Sequence, residues 1–335
     1  MSANRYEMLL RHPQLLDQHT LILGAEADLP AGWTALLRNS GARLLSWDWP
    51  TVQQHQPLTE PQVRFALPES RDLDGVKRVI LLWPKAKPQA LALLQLAATE
   101  ARECWVVGAN DAGGKSIGKA VAGLCEQVEK IDSARHCVLW QLHLQPQAPL
   151  NWLKTAQSFR FGDQAYLTLP GVFSHGKLDT GTAVLLEHLP APAYGKLLDL
   201  GCGSGVIGLS MKARQPALQV TLADIDAFAL HSTRLNSARL GLETEVVASD
   251  GLAGISGRYD YIFSNPPFHQ GKETDYAFAR QLFASAGPHL TRDGQLWLVA
   301  NAHLPYEDWA AESFSEVQLM AKQQGFKLLC LTGPR

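Results

Sequence analysis

The absences in this chain narrow it first. There is no surplus of basic charge: 30 Lys and Arg stand against 32 Asp and Glu, a formal net charge of −2. No global field announces nucleic-acid binding, so any RNA contact has to come from local basic patches. The five cysteines (Cys104, Cys125, Cys137, Cys202 and Cys330) are scattered and odd in number, and none are spaced as Cys-x-x-Cys. That argues against a disulfide framework and a thiolate zinc site. No His-Glu-x-x-His occurs among the eleven histidines, and no metal is expected. No apolar run approaches the roughly twenty residues of a spanning helix. The opening residues, Met1 to Glu7, lack the basic-then-apolar build of a secretory signal. A cytoplasmic protein with no membrane partner is expected. A complete phosphate loop is missing too. Asn110-Asp111-Ala112-Gly113-Gly114-Lys115-Ser116 ends correctly, but Ala109 stands where the first glycine is required and Asp111 puts an acid where phosphate would sit.

What remains is a globular composition, 46% hydrophobic and 19% charged over 335 residues, a length that suits two domains. The second half alternates strand and helix patterns. Strands are expected at 196–200, 220–224, 245–250, 259–264 and 295–301, with helices at 183–189, 206–213, 227–240 and 277–290. This predicts an α/β fold with a doubly wound, mostly parallel sheet whose strand ends share one rim. The first half reads as a worn copy. His19 to Ala25 mirrors the first strand and its turn, and Ala42 to Asp48 the second with its closing acid. Val79 to Lys85 mirrors the fourth, with Trp83-Pro84-Lys85 in place of Asn265-Pro266-Pro267, and Glu103 to Asn110 the fifth. Internal duplication is the simplest account, against two unrelated α/β domains. Gln145 to Leu150 is the linker candidate, giving expected domains at 1–150 and 151–335.

Two motifs carry the chemistry. Asp199-Leu200-Gly201-Cys202-Gly203-Ser204-Gly205 closes a strand with glycines that let backbone approach a nucleotide-like ligand. Gly203-x-Gly205-x-x-Gly208, followed by Asp224, also matches the dinucleotide fingerprint, so an NAD-dependent dehydrogenase competes. Asp199 weighs against it, because a pyrophosphate there would meet a carboxylate, whereas S-adenosylmethionine calls for an acid near its amino-acid end. Asp224 is the candidate acceptor for the ribose hydroxyls and Asp250 for the adenine amine; the plain alternative for each is a strand-end acid capping a turn.

The second motif, Asn265-Pro266-Pro267-Phe268, suits a planar amine. The Asn265 side-chain oxygen and the Pro266 carbonyl can accept its two hydrogens, aiming the lone pair at a methyl group, while Phe268 offers a stacking face. A hydride-transfer enzyme has no evident use for it. His269, Asn301 and His303 lie on neighbouring loops and are not counted as catalytic.

With these residues in hand, the chain resembles the ribosomal RNA small-subunit methyltransferase C family. The resemblance rests on Pro170-Gly171-Val172-Phe173-Ser174, Leu178-Asp179-x-Gly181-Thr182, the glycine turn, Asn265 to His269, and Val299-Ala300-Asn301-x-x-Leu304-Pro305-Tyr306. It implies two tandem Rossmann-like class I methyltransferase domains. The N-terminal one would be degenerate and would aid RNA binding and stability. It implies methyl transfer from S-adenosylmethionine to the exocyclic N2 of a guanine in 16S rRNA, with the rRNA or the small subunit as partner and a monomeric enzyme. Carried across, Asp199, Gly201, Gly203, Gly205 and Asp224 would bind the cofactor. Asn265, Pro266 and Phe268 would hold the guanine, and Phe173 and Gly181 would line the cofactor mouth. Another amine, such as a large-subunit guanine or adenine N6, stays open as the target.

Overall fold

A computed structural model describes residues 4–26, 28–55, 58, 60–100, 103–266 and 272–335. The chain divides into two compact units, Met1–Thr155 with Leu169–Gly171, and Ala156–Thr168 with Val172–Arg335.

The first unit carries β1 (Thr20–Leu23), β2 (Arg43–Ser46), β3 (Val63–Phe65), β4 (Arg78–Leu82), β5 (Glu103–Ala109), β6 (Cys125–Ala134) and β7 (Cys137–Leu144). They form one sheet in the order β3-β2-β1-β4-β5-β7-β6. The second unit opens with a two-stranded hairpin, β8 (Gln157–Phe161) and β9 (Gln164–Thr168). Its main sheet comprises β10 (Gly195–Leu200), β11 (Leu218–Asp224), β12 (Glu245–Ala248), β13 (Tyr259–Ser264), β14 (Leu290–Asn301), β15 (Phe314–Gln323) and β16 (Phe326–Pro334). The order is β12-β11-β10-β13-β14-β16-β15. Adding nine to each strand number of the first sheet gives the second. Two seven-stranded sheets with the same permutation are what duplication requires and what unrelated domains would match only by accident.

In each sheet the first five strands run parallel and the last two pair antiparallel. The parallel strands are apolar on both faces because helices cover both. Leu197, Leu198 and Leu200 of β10 are buried, as are Ile262 and Phe263 of β13. Helix Ala227–Leu240 starts where Asp226 caps the Phe228 and Ala229 amides at 2.6 and 3.4 Å and stops at Gly241, whose φ of 64° suits a residue without Cβ.

The sequence pattern places the second unit's parallel strands well and its later boundaries less well. The helix expected at 277–290 spans Lys272–Ala286 and gives way to a 3-10 turn over Gly287–His289, where Pro288 cannot continue it. Strand β14 starts at Leu290 rather than 295. Pairing with β13 at Leu290 and again from Gln295, across a register shift between Tyr259 and Tyr261, carries the strand through Thr291-Arg292-Asp293-Gly294. A Cβ at Gly294 would come within 2.9 Å of the Tyr259 carbonyl oxygen, so glycine is what lets the strands close there. The β8–β9 hairpin and the two antiparallel terminal hairpins had no distinct sequence signature, since β6 and β15 are half-exposed edge strands.

Candidate active site

The site assembles at the carboxyl ends of β10, β11 and β13. After Leu200 the chain turns sharply: the Gly201 and Cys202 amides both donate to the Ala223 carbonyl, at 2.8 and 2.9 Å, and Gly205 donates to the Cys202 carbonyl at 2.7 Å. Gly201, Gly203 and Gly205 take φ of 73°, 56° and 78°, a region closed to most side chains. A Cβ on Gly201 or Gly203 would meet no atom of the described residues within 4 Å, so among these their faces border space that a ligand can approach. Gly205 differs: a Cβ there would press on Leu209 and Thr233 at 3.0–3.1 Å.

Asp199 lies beneath this turn and is fully buried. Its Oδ2 accepts the Gly208 amide at 2.8 Å, and its Oδ1 is buried with no hydrogen-bond partner among the described residues. Burial pushes its carboxyl up to about 7; the nearby Asp224 adds to the rise and the Gly208 amide opposes it. Gly208, the last glycine of the dinucleotide-like pattern, thus has a structural task. Its amide serves Asp199, and a Cβ there would sit 3.0 Å from the Asp199 Cβ. Asp224, at the end of β11, accepts the Gly203 amide on Oδ2 at 2.9 Å and the Asp226 amide on Oδ1 at 3.0 Å. Burial raises its carboxyl too, against the pull of the Gly203, Asp226 and Ile225 amides.

An orphaned buried carboxylate oxygen, two open glycine faces and an acid on the adjacent strand end fit a ligand with an ammonium group and a ribose. They do not fit a pyrophosphate, which would share its helix N-terminus with Asp199.

The Asn265 turn is held beside this cradle by sheet register. Leu200 pairs with Ser264, and the Ser264 hydroxyl donates to the Leu200 carbonyl at 2.9 Å. Asn265 is half-buried, and its Nδ2 donates to Asp179 Oδ2 at 3.0 Å and to Thr182 Oγ1 at 2.8 Å. Pro266 is buried, whereas Phe268 and His269 lie outside the described residues.

The family model of the methyltransferase small domain matches residues 164–330, and that of its N-terminal companion matches 6–158. A ribosomal RNA small subunit methyltransferase C from Pseudomonas entomophila is 38% identical, with 97% of each chain aligned. One of that name from Ectopseudomonas mendocina is 37% identical over 97% of this chain and 98% of its own. The chain belongs to the ribosomal RNA small subunit methyltransferase C family. Among solved structures, T. thermophilus 16S rRNA N2 methyltransferase RsmC, in complex with AdoMet and guanosine, shares the fold. Its TM-score is 0.74 at 24% identity, covering 94% of this chain and 88% of that one. Both units are therefore Rossmann-like methyltransferase domains.

Sheet register also shows how the first copy of this family fold lost its site. With Leu23 taken as the counterpart of Leu200, register puts Ile22 where Asp199 stands, Ser46 where Asp224 stands and Leu82 where Asn265 stands. This corrects two sequence alignments. Leu82, not Trp83, occupies the Asn265 position. Asp48 mirrors the helix cap Asp226 rather than the strand-end acid, and it caps the Thr51 amide at 2.9 Å. A Cβ on Gly24, the remaining glycine, would collide with the Leu82 side chain. Across the rim, Arg5 donates to the Ala25 carbonyl at 2.6 Å, the Trp83 carbonyl at 2.9 Å and the Glu26 carboxylate at 2.8 Å. A protein side chain thus bridges the ends of β1 and β4 and occupies the rim at which the second unit has its cradle. The Gly113-Gly114 turn rejected as a phosphate loop is likewise packed shut, with Gly114 against the Gly108 and Ala109 carbonyls.

Asp199, Gly201, Gly203, Gly205 and Asp224 are brought together by hydrogen bonds, and Asn265 joins them by register. Asp250 is exposed just beyond β12, beside a cavity also lined by Leu252, Phe278 and His289. Phe173 is 53% exposed on the loop before helix Thr180–His188. Gly181 is buried, and a Cβ there would come 3.1 Å from both Asp179 Oδ2 and the Phe326 ring. Sequence reasoning missed Asp179, Thr182 and Asn236 as site residues. Buried Asn236 accepts the Leu167 amide and donates to the carbonyls of Leu167 and Ser204, all at 2.8–2.9 Å, tying hairpin β8–β9 to the glycine turn. An asparagine on a helix's buried face was the available signal.

Proposed function

We propose that this protein is an S-adenosylmethionine-dependent methyltransferase acting on the exocyclic N2 of a guanine in 16S rRNA. The observation that carries the reading is the Leu200–Ser264 register, which sets an amine-accepting turn directly beside a glycine cradle floored by a buried acid.

When bound, the cofactor supplies a methyl group on a sulfonium and retains the C–S electron pair as a thioether. Asp199 would hold the ammonium end through Oδ1, and Gly201 and Gly203 would admit the ligand's body. Asp224 would take the ribose hydroxyls and Asp250 the adenine amine, while Phe173 and Gly181 would border the mouth. Asn265 Oδ1 and the Pro266 carbonyl would accept the two guanine N–H hydrogens, and Phe268 is the residue whose ring would suit the base. These acceptors raise electron density on an amine whose lone pair is otherwise drawn into the ring. The new N–C bond forms as the C–S bond breaks, and the surplus proton leaves the nitrogen for water. No strong general base is needed, because alignment does most of the work.

The target base has to be unpaired or flipped to reach this turn. The reading is of a cytoplasmic enzyme working as a single chain, with the first domain aiding RNA binding and the stability of the second. The test is tritium transfer from labelled S-adenosylmethionine to small ribosomal subunits lacking the methyl group, followed by nucleoside mapping. Label is expected on N2 of a guanine; label on adenine N6, or labelling of large subunits offered in a parallel reaction but not of the small ones, overturns the assignment. Asn265→Ala should lose turnover by at least about 100-fold, with cofactor affinity kept within a few-fold. Full activity in that variant would sink the acceptor role.

A further inference from the structure

We infer that Asp179 and Thr182 are positioning residues that lock the Asn265 carboxamide with its oxygen toward the substrate amine. The inference rests on the methyltransferase reading above and names residues that reading does not need.

A primary carboxamide has two N–H hydrogens and one carbonyl oxygen, and in water its two flipped orientations are nearly equivalent. At Asn265 they are not. Nδ2 lies 3.0 Å from Asp179 Oδ2 and 2.8 Å from Thr182 Oγ1, so both hydrogens have acceptors. Flipping the amide would set Oδ1 at hydrogen-bond distance from a carboxylate oxygen, acceptor against acceptor. The chemistry of Asp179 therefore fixes the amide's sense. Oδ1 is then the group left for the substrate. Donation from Nδ2 to an anion also pushes amide electron density onto Oδ1, making it the stronger acceptor.

Asp179 is itself immobilised. The same Oδ2 accepts the Thr182 amide at 2.9 Å, capping helix Thr180–His188. Gly181 leaves the space this needs, since its missing Cβ would stand 3.1 Å from that oxygen and 3.1 Å from the Phe326 ring. One short segment, Asp179 to Thr182, thus presents a helix cap, a carboxylate and a hydroxyl to a single side chain on the opposite motif.

The test separates positioning from folding. Asp179→Asn removes the anion that fixes the amide: the oxygen that caps Thr182 is also the one that accepts Nδ2, so an asparagine that keeps the cap offers Nδ2 only a neutral, weaker acceptor. Thr182→Val keeps shape and removes the hydroxyl acceptor, and Thr182→Ser restores it. With labelled cofactor and unmethylated small subunits, Asp179→Asn should lower kcat about 30-fold or more and Thr182→Val about 10-fold. Thr182→Ser should return within about 2-fold. Melting temperature and S-adenosylmethionine affinity by calorimetry should stay close to the parent's. Asp179→Asn at parental kcat, or a loss confined to KM or cofactor affinity, overturns the inference. If Asp179→Asn does not fold, the valine–serine pair decides alone: equal kcat in the two refutes the lock. Asn265→Ala run alongside distinguishes the failures. Its full activity removes the amine-acceptor reading itself, whereas an inactive Asn265→Ala beside a fully active Asp179→Asn removes only the lock.

Discussion

Asp199→Asn is expected to make the protein without ligand more stable and its cofactor binding worse. The buried carboxyl titrates at about 7 against an ordinary 3.8. Below 3.8 the folded and unfolded chains both hold the proton. Between 3.8 and about 7 only the folded chain does, so this group's contribution to stability falls as pH rises. Above about 7 the whole penalty stands, about 4 kcal/mol at roughly 1.4 kcal/mol per pH unit. Asparagine keeps an oxygen for the Gly208 amide and carries no charge, but its NH2 is buried in place of Oδ1, a cost of about 1–3 kcal/mol. That cost does not depend on pH and cancels between two pH values. At pH 5 the wild-type penalty is about 1.6 kcal/mol, so the variant's advantage should grow by about 3 kcal/mol from pH 5 to pH 8. In a domain of this size that corresponds to roughly 6–12 °C of melting temperature. Differential scanning calorimetry of the full chain at the two pH values reads it directly. Titration calorimetry at pH 8 should show S-adenosylmethionine affinity at least about 10-fold weaker, through loss of a charge-assisted hydrogen bond. An advantage that is equal at both pH values, or unchanged affinity, would refute the reasoning.

Two further outcomes follow from the geometry. Arg5→Met in the first unit removes donors to the Ala25 and Trp83 carbonyls and to Glu26. Melting should move that unit's transition down by about 2–4 kcal/mol, with kcat on small subunits unchanged; a fall in kcat would mean the first copy still takes part in chemistry. Gly201→Ala and Gly205→Ala share positive φ and an expected strain of about 1–2 kcal/mol each, but Gly205→Ala also presses on Leu209 and Thr233. Calorimetry should find Gly205→Ala the less stable of the two, and Gly201→Ala the one whose binding loss exceeds its stability loss. The reverse order would falsify the open-cradle description.

Much of the site was legible because its parts are local. A strand closing on Asp-x-Gly-x-Gly-x-Gly and another closing on Asn-Pro-Pro announce themselves within a few residues, and the alternation of apolar segments between them fixes a parallel sheet. Asp179, Thr182 and Asn236 were harder to see, because each acts on a partner at least 69 residues away in sequence. The slip of one residue in aligning Trp83 with Asn265 has the same origin. Short apolar strands look alike at neighbouring offsets, and only inter-strand hydrogen bonding sets the offset.

By itself, the sequence determined the doubling of the fold, the glycine turn, the Asn265-Pro266-Pro267 motif and the order of strands along the chain, since these depend on local residue type and period. Tertiary structure decided which residue faces which. Among the described residues, it left one oxygen of Asp199 without a partner and turned the nitrogen of Asn265 toward Asp179. It also filled the first copy's rim with Arg5. Those outcomes rest on burial and hydrogen-bond geometry between segments far apart in the chain, which no local pattern encodes.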